Sequence, residues 1–202
     1  ASPWLMKGIT ESLAGRVSFI DVPGLALTEV GVEKVDQLWW RGGYPRVYLA
    51  GSDAEVRQWQ EDLERTVMER DLAVVAPNLP ATAMRRFWSM VAHYHGQTWN
   101  SSEIGRSLNL TDKVARQYLD AFTAMYLVRQ LPPWFENVGK RQIKAPKVYI
   151  RDSGVLHGLL HLESRRRLEE HPKVGASWEG FAIEQVLSIT GDRDAYFWAT
   201  HN

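Results

Sequence analysis

A mixed α/β chain, mainly helical, is predicted by three features of the sequence. Apolar residues recur at three- to four-residue spacing through most segments, the period of a helix with one buried face. Cap residues head several of those segments, with Ser52 three positions before Glu55, Asn100 or Ser101 before an apolar pair, and Thr111 before another. Such side chains satisfy the first free N–H groups of a helix. Strands are few and short, and the clearest pair is "YLVRQL" and "PKVYIRD" on either side of "PPWFENVGKRQIKA".

The elements follow in order. Leu5, Ile9 and Leu13 in "WLMKGITESLAGR" suit a helix that Gly15 would end. "VSFIDVPGLALTEVG" reads as a short strand broken by Pro23-Gly24, then a helix capped near Thr28. In "QLWWRGGYPRVYLAG", Gly42-Gly43 interrupts a helix and Pro45 opens the next element. Val56, Trp59, Leu63 and Val67 line one face of the helix that Ser52 caps. Pro80 is placed in the first turn of a helix whose inner face is Met84, Phe87, Trp88 and Val91, stopping near Gly96.

The stretch from Asn100 to Val128 predicts two helices joined at Asn109-Leu110, the second with Val114, Tyr118, Phe122 and Met125 inward. With the two strands after it, this is the element order of a winged helix-turn-helix. "DSGVLHGLL" follows as a short helix, "ESRRRLEEHP" as a polar surface helix and "SWEGFAIEQVLSIT" as an apolar one with Phe181, Val186 and Ile189 inside. "AYFWAT" reads as a strand.

Composition bounds the function. The 24 basic and 24 acidic side chains of the 202 residues cancel, so a nucleic-acid role would have to rest on a local patch. With no cysteine, disulfides, thiolate zinc sites and cysteine nucleophiles are excluded, and a cytoplasmic location is compatible. No apolar run approaches the ~18 residues that span a bilayer, and the N-terminus has no signal-peptide pattern. Nine tryptophans supply bulk for cores and interfaces. Both ends read as cut, since Ala1 leads directly into a helix pattern and the chain stops on an aromatic strand pattern.

Four sets of residues carry candidate chemistry. Lys113, Arg116 and Gln117 lie off the apolar face of the second helix, where long polar side chains reach base edges. Asp112 and Asp120 share that helix and would repel phosphates. Lys140, Arg141, Lys144 and Lys147 fall within eight residues on the hairpin and suit a phosphate backbone, with a solvated hairpin as the alternative. Asp152 ends a strand and Glu179 lies in an apolar helix, positions that demand either a pairing partner or a catalytic role. His157 and His161 stand four apart, but Gly158 occupies the place of a zincin glutamate, so no metal is assigned. No GxxxxGK[ST] loop is present.

The strings "ESLAGRV", "LWWRGGYPRVYLA", "WQEDLERTVMERDL", "NSSEIGRSLNLTDKVARQYLDAF", "LPPWFENVGKRQIKAPKVYIRDSGVLHGLL" and "HPKVGASWEGFAIEQ" resemble the bacterial and archaeal AAA-type ATPases that carry a C-terminal domain of unknown function. The resemblance runs nearly end to end. It implies a remnant of the ATPase core over 1–24, a helical lid over 25–79, a winged helix over 80–150 and the first half of a restriction-endonuclease-like domain over 151–202. It implies a P-loop, ATP and magnesium in the full-length parent, and no cofactor or ATP hydrolysis for this stretch alone. "GGYP" is similar to the turn by which lids sit over adenine, pointing to Gly43 and Pro45, and Arg16 is placed to reach a phosphate. The partners implied are double-stranded DNA or another protein, an oligomer is compatible, and no membrane is involved. The alternatives are a regulatory winged-helix module without enzymatic activity, or a metal-dependent nuclease in the intact parent.

Overall fold

The computed structural model describes Arg16 and residues 22–72, 80–134 and 145–198. The helix expected over 4–16 and the strand expected from Val17 lie outside these residues, apart from exposed Arg16. The chain is mainly helical, with one small antiparallel sheet among the described residues.

Its first elements are short because their sequences cannot extend them. Helix α1 (Leu27–Val30) starts one residue before Thr28, and Glu29 rather than Thr28 serves its head, accepting the Ala26 N–H at 2.9 Å. After a 3-10 turn over Val32–Lys34, α2 (Val35–Arg41) buries Leu38 and Trp39 and ends at Gly42, whose φ of 82° closes the helix. Pro45 opens the single turn of α3 (Pro45–Tyr48), the position where its missing N–H is not needed. Helix α4 (Asp53–Thr66) is capped by Ser52, which accepts the Glu55 N–H, while the Glu55 carboxylate takes the Gly51 N–H at 3.0 Å instead of that of Ser52. A wide π turn over Val67–Asp71 carries it onward and buries Val67 and Met68.

Helix α5 (Ala81–His93) buries Met84, Phe87, Trp88 and Val91, the face that the periodicity predicts. Pro80 stands one place outside its first turn, as the cap residue. Strand β1 (Gln97–Thr98) leads into α6 (Ser101–Leu108), where Asn100 accepts the N–H groups of Ser102 and Glu103. Asn109 takes the left-handed conformation (φ 56°) that turns the chain, and Thr111 caps α7 (Asp112–Ala124). Strands β2 (Val128–Leu131) and β3 (Lys147–Ile150) pair antiparallel with Val128 opposite Ile150. The sheet order is β1-β3-β2, so β3 is central and nearly all of it is buried.

Helices α8 (Ser153–Leu159), α9 (Arg165–Glu169) and α10 (Val174–Thr190) complete the described chain. One core takes Val67 and Met68, the inner faces of α5, α6 and α7, the sheet, and Val155, Leu156 and Leu159 of α8. A second gathers Leu38, Trp39, Tyr48, Leu168 and Phe181. Two expectations for the last segment fail. Val186 and Ile189 are 56% and 69% exposed, because α10 turns its polar Ser177, Glu184 and Gln185 toward the rest of the chain. Residues 195–198 make a single parallel bridge, Pro133 with Phe197, rather than a strand.

Candidate functional site

Two places bring sequence candidates together. The first is a cleft of about 640 Å³ lined by Gly24, Gly43, Tyr44, Pro45, Arg129, Arg151, Asp152 and Glu184 among others. Asp152 is its organising residue. It caps α8 by accepting the Val155 N–H at 2.9 Å, and accepts the Gly43 N–H at 2.7 Å. Burial raises its pKa, and the backbone N–H groups of Val155, Gly43 and Gly154 oppose that rise. Burial likewise pushes the neighbouring Tyr44 hydroxyl up to about 12, with the Asp152 charge adding to it.

The glycines of this cleft are explained by backbone packing. A Cβ on Gly24 would stand 2.8 Å from the Gly43 carbonyl, and one on Gly43 would stand 2.7 Å from the Leu25 oxygen. The Gly43 carbonyl also accepts the Leu25 N–H at 2.6 Å. Both hydrogen-bonding groups of Gly43 are therefore taken by the chain itself, and its small size serves the crossing of two backbone segments.

On the opposite wall, Glu184 of α10 holds two arginines. Arg129 forms a bidentate pair with it, and Arg151 Nε lies 3.1 Å from Glu184 Oε2. Arg129 also reaches Asp192 at 3.2 Å. Burial pulls the Arg129 pKa down, but the Glu184 and Asp192 contacts outweigh it and the net shift is upward. Fork-shaped guanidinium groups suit such shared carboxylates, and no feature of the linear sequence joined these three residues.

The second place is the outer face of α7. Lys113, Arg116 and Gln117 are all exposed there, at the i, i+3, i+4 spacing that puts them side by side. The two acids on the same helix are engaged, Asp112 by the Ser102 hydroxyl at 2.6 Å and Asp120 by Gln130 Nε2 at 3.1 Å. Among the described residues, Lys113 and Arg116 form no ion pair.

A family model described as Domain of unknown function (DUF8612) matches residues 32–166. The chain belongs to that family. The DUF8612 match takes in α2 through α8, and so both the Gly43–Asp152 contact and the α6–α7 unit, whereas α10 lies beyond it. The chain is 48% identical over 200 residues to the uncharacterized protein Rv2008c of Mycobacterium tuberculosis and to its counterpart Mb2031c of Mycobacterium bovis. That alignment covers 99% of this chain and 45% of each relative, so the chain spans about half their length. No solved structure matches.

The remaining sequence candidates are placed as follows. Glu179 is exposed, not buried, and is paired by Lys147 Nζ at 3.1 Å and the Tyr149 hydroxyl at 3.0 Å. It is absent from the cleft that Asp152 organises. Lys147 is occupied by that pair and lies 5.7 Å over the Phe197 ring. Lys140, Arg141 and Lys144 lie outside the described residues. No group of three or more His, Asp or Glu residues able to hold a metal occurs among the described residues. No helix there is long and apolar enough to cross a membrane.

His157, considered with His161 from their spacing, belongs to a buried relay that the sequence did not reveal. Its Nδ1 lies 2.9 Å from the Trp40 carbonyl, which can only accept, so Nδ1 carries the proton. The Ser177 hydroxyl then donates to His157 Nε2 at 2.7 Å, and accepts from Trp39 Nε1 at 3.0 Å. His95 is fixed in the other tautomer, with Nδ1 accepting the Ile150 N–H at 2.9 Å and Nε2 donating to the Ala176 carbonyl at 3.0 Å. Burial holds both below the usual imidazole range, His95 at about 3 and His157 at about 4. Both rings are thus neutral structural pins between α10 and the body of the chain.

Proposed function

We propose that this chain is the lid and winged-helix region of an AAA-type ATPase, and that α7 is its contact with duplex nucleic acid. The observation that carries the reading is the outer face of α7, where Lys113, Arg116 and Gln117 are exposed while Asp112 and Asp120 are drawn aside by Ser102 and Gln130. The order helix, strand, helix, helix and hairpin supports it, since in such units the second helix enters the major groove. Lys140, Arg141 and Lys144, in the stretch between β2 and β3 outside the described residues, would add phosphate contacts.

The lid assignment draws its support from the cleft beside Gly43, Tyr44 and Pro45. A nucleotide there would have to meet side chains and apolar walls, because the Gly43 backbone is already committed. ATP and magnesium belong to the longer parent in this reading, and the 202-residue chain alone turns over no ATP. A nuclease reading has less behind it, since Asp152 is spent on backbone N–H groups and Glu179 on Lys147 and Tyr149.

The test is fluorescence anisotropy of a labelled duplex over a salt series. Lys113→Ala with Arg116→Ala should weaken binding and lower the slope of log K against log salt by roughly 0.9 for each phosphate that the protein no longer neutralises. Binding of the unaltered chain that is absent at low salt, or unchanged in the double variant, refutes the α7 interface and favours a protein contact.

A further inference from the structure

Tyr126 occupies a position that its backbone does not favour. It follows Met125, the residue that closes α7, and its φ is 60°. Glycine or asparagine is the usual residue at such a left-handed turn after a helix. Burial does not explain the tyrosine either, since it is 45% exposed. Its ring lines the cleft and carries the Arg151 guanidinium, 5.5 Å from the ring centroid.

Arg151 is also held by α10. Its Nε donates to Glu184 Oε2 at 3.1 Å, so the guanidinium is fixed between that carboxylate and the Tyr126 ring. Its two terminal nitrogens form no hydrogen bond or ion pair among the described residues. Arg129 differs, because Glu184 and Asp192 take all three of its nitrogens. The carboxylates of the cleft are likewise engaged. Asp152 accepts two backbone N–H groups, Glu184 binds both arginines and Asp192 binds Arg129. The Arg151 fork is therefore the charged donor left to a ligand.

Charge and shape select the ligand. Two arginines and three carboxylates line the cleft, so a phosphate dianion would add two negative charges to a wall that is already net negative. A carboxylate adds one, and its two oxygens match the outer N–H groups of a guanidinium. Leu25, Leu127, Val155, Phe181 and Leu187 supply apolar wall, which suits an apolar body. The volume of about 640 Å³ lies within the ~300–1,000 Å³ of sites for small organic molecules.

We infer that the cleft binds a small carboxylic acid with an apolar body, its carboxylate paired to the terminal nitrogens of Arg151. Tyr126 and Glu184 are positioning residues that hold this guanidinium. The inference goes beyond the lid and α7 readings and rests on neither, since it needs no nucleotide and no DNA.

The test titrates 3-phenylpropanoate, its neutral amide and phenyl phosphate separately into the whole protein, followed by saturation-transfer NMR. The carboxylate should saturate with a Kd below about 5 mM, and the amide should bind at least about tenfold more weakly. Arg151→Gln should erase that preference, while Glu184 keeps Arg129 as its partner. Tyr126→Gly should weaken carboxylate binding by at least about threefold yet leave the chain folded, because glycine suits the left-handed turn. Carboxylate binding that does not saturate by about 20 mM overturns the proposal. So does a carboxylate Kd that is the same in both variants as in the unaltered protein, or phenyl phosphate binding tighter than the carboxylate. If Arg151→Gln fails to fold, the Tyr126→Gly titration decides alone.

Discussion

Replacing Ser177 with alanine removes one oxygen and should cost the chain about 3 kcal/mol of stability. Ser177 is fully buried, and its hydroxyl serves two partners, Trp39 Nε1 at 3.0 Å and His157 Nε2 at 2.7 Å. Both partners are buried, at 8% and 1% exposure, so water cannot take the place of the missing oxygen. A buried polar group left unpaired costs ~1–3 kcal/mol, which sets ~2–6 for the two. The better helix propensity of alanine returns roughly 0.5 kcal/mol at most, and some relaxation of the Trp39 ring lowers the sum further. For a chain of this size that corresponds to a fall in Tm of roughly 6–12 °C. Urea and thermal unfolding followed by tryptophan fluorescence would measure it. Ser188→Ala on the same helix is the control, since that hydroxyl is exposed and donates to the Gln185 carbonyl of its own helix. A loss below about 1 kcal/mol, no larger than the control, would refute the closed Trp39–Ser177–His157 relay.

Acid should destabilise the chain through its two buried imidazoles. Their folded pKa values, about 3 for His95 and about 4 for His157, lie below the ordinary 6.5. Their contribution is therefore complete above pH 6.5 and is lost as pH falls toward the folded values. At pH 5 each is about 1.5 units below the unfolded pKa, or ~2 kcal/mol, and about 4 for both. Asp152 acts with the opposite sign, because its raised folded pKa makes the native state the better proton acceptor. A urea midpoint that rises between pH 7 and 5 contradicts the assignment of both rings as neutral pins. Gly154→Ala should lower stability by ~3 kcal/mol or more, since its Cβ would overlap the Arg41 carbonyl and lie 3.0 Å from the Gly42 nitrogen. Gly175→Ala in α10 meets nothing within 4 Å and should instead raise stability by roughly 0.5–1 kcal/mol. Paired thermal melts check that the two glycines change stability in opposite directions.

How much of this was legible in the sequence depends on the range of the interaction. Helix α5 and the α6–α7 pair could be read in advance because their signals lie within one turn. Met84, Phe87, Trp88 and Val91 recur at the helical period, and Asn100 and Thr111 cap with their own side chains. The exposed position of Lys113, Arg116 and Gln117 followed from the same periodicity. Helix α10 defeated that logic, because its polar residues find partners on α1, α2, β2 and after β3, and these draw them inward while Val186 and Ile189 turn out.

The candidate residues divide in the same way. That Asp152 needed a partner could be argued from its place at the end of a strand, but only the tertiary structure supplied Gly43, which is 109 positions away. The arginine pair on Glu184 and the Ser177 relay had no signal in the linear order, since their partners are separated by 20 to 138 positions. The sequence by itself determined the helical period, the caps, the hairpin and the lack of thiol chemistry, all set by neighbours along the chain. Tertiary packing alone decided which polar groups are buried together, which carboxylates are taken up by partners and that Val186 and Ile189 stay exposed. The reason is energetic. A buried polar group costs more unpaired than an apolar side chain costs in water, so hydrogen-bond partners chosen across the fold override the local pattern.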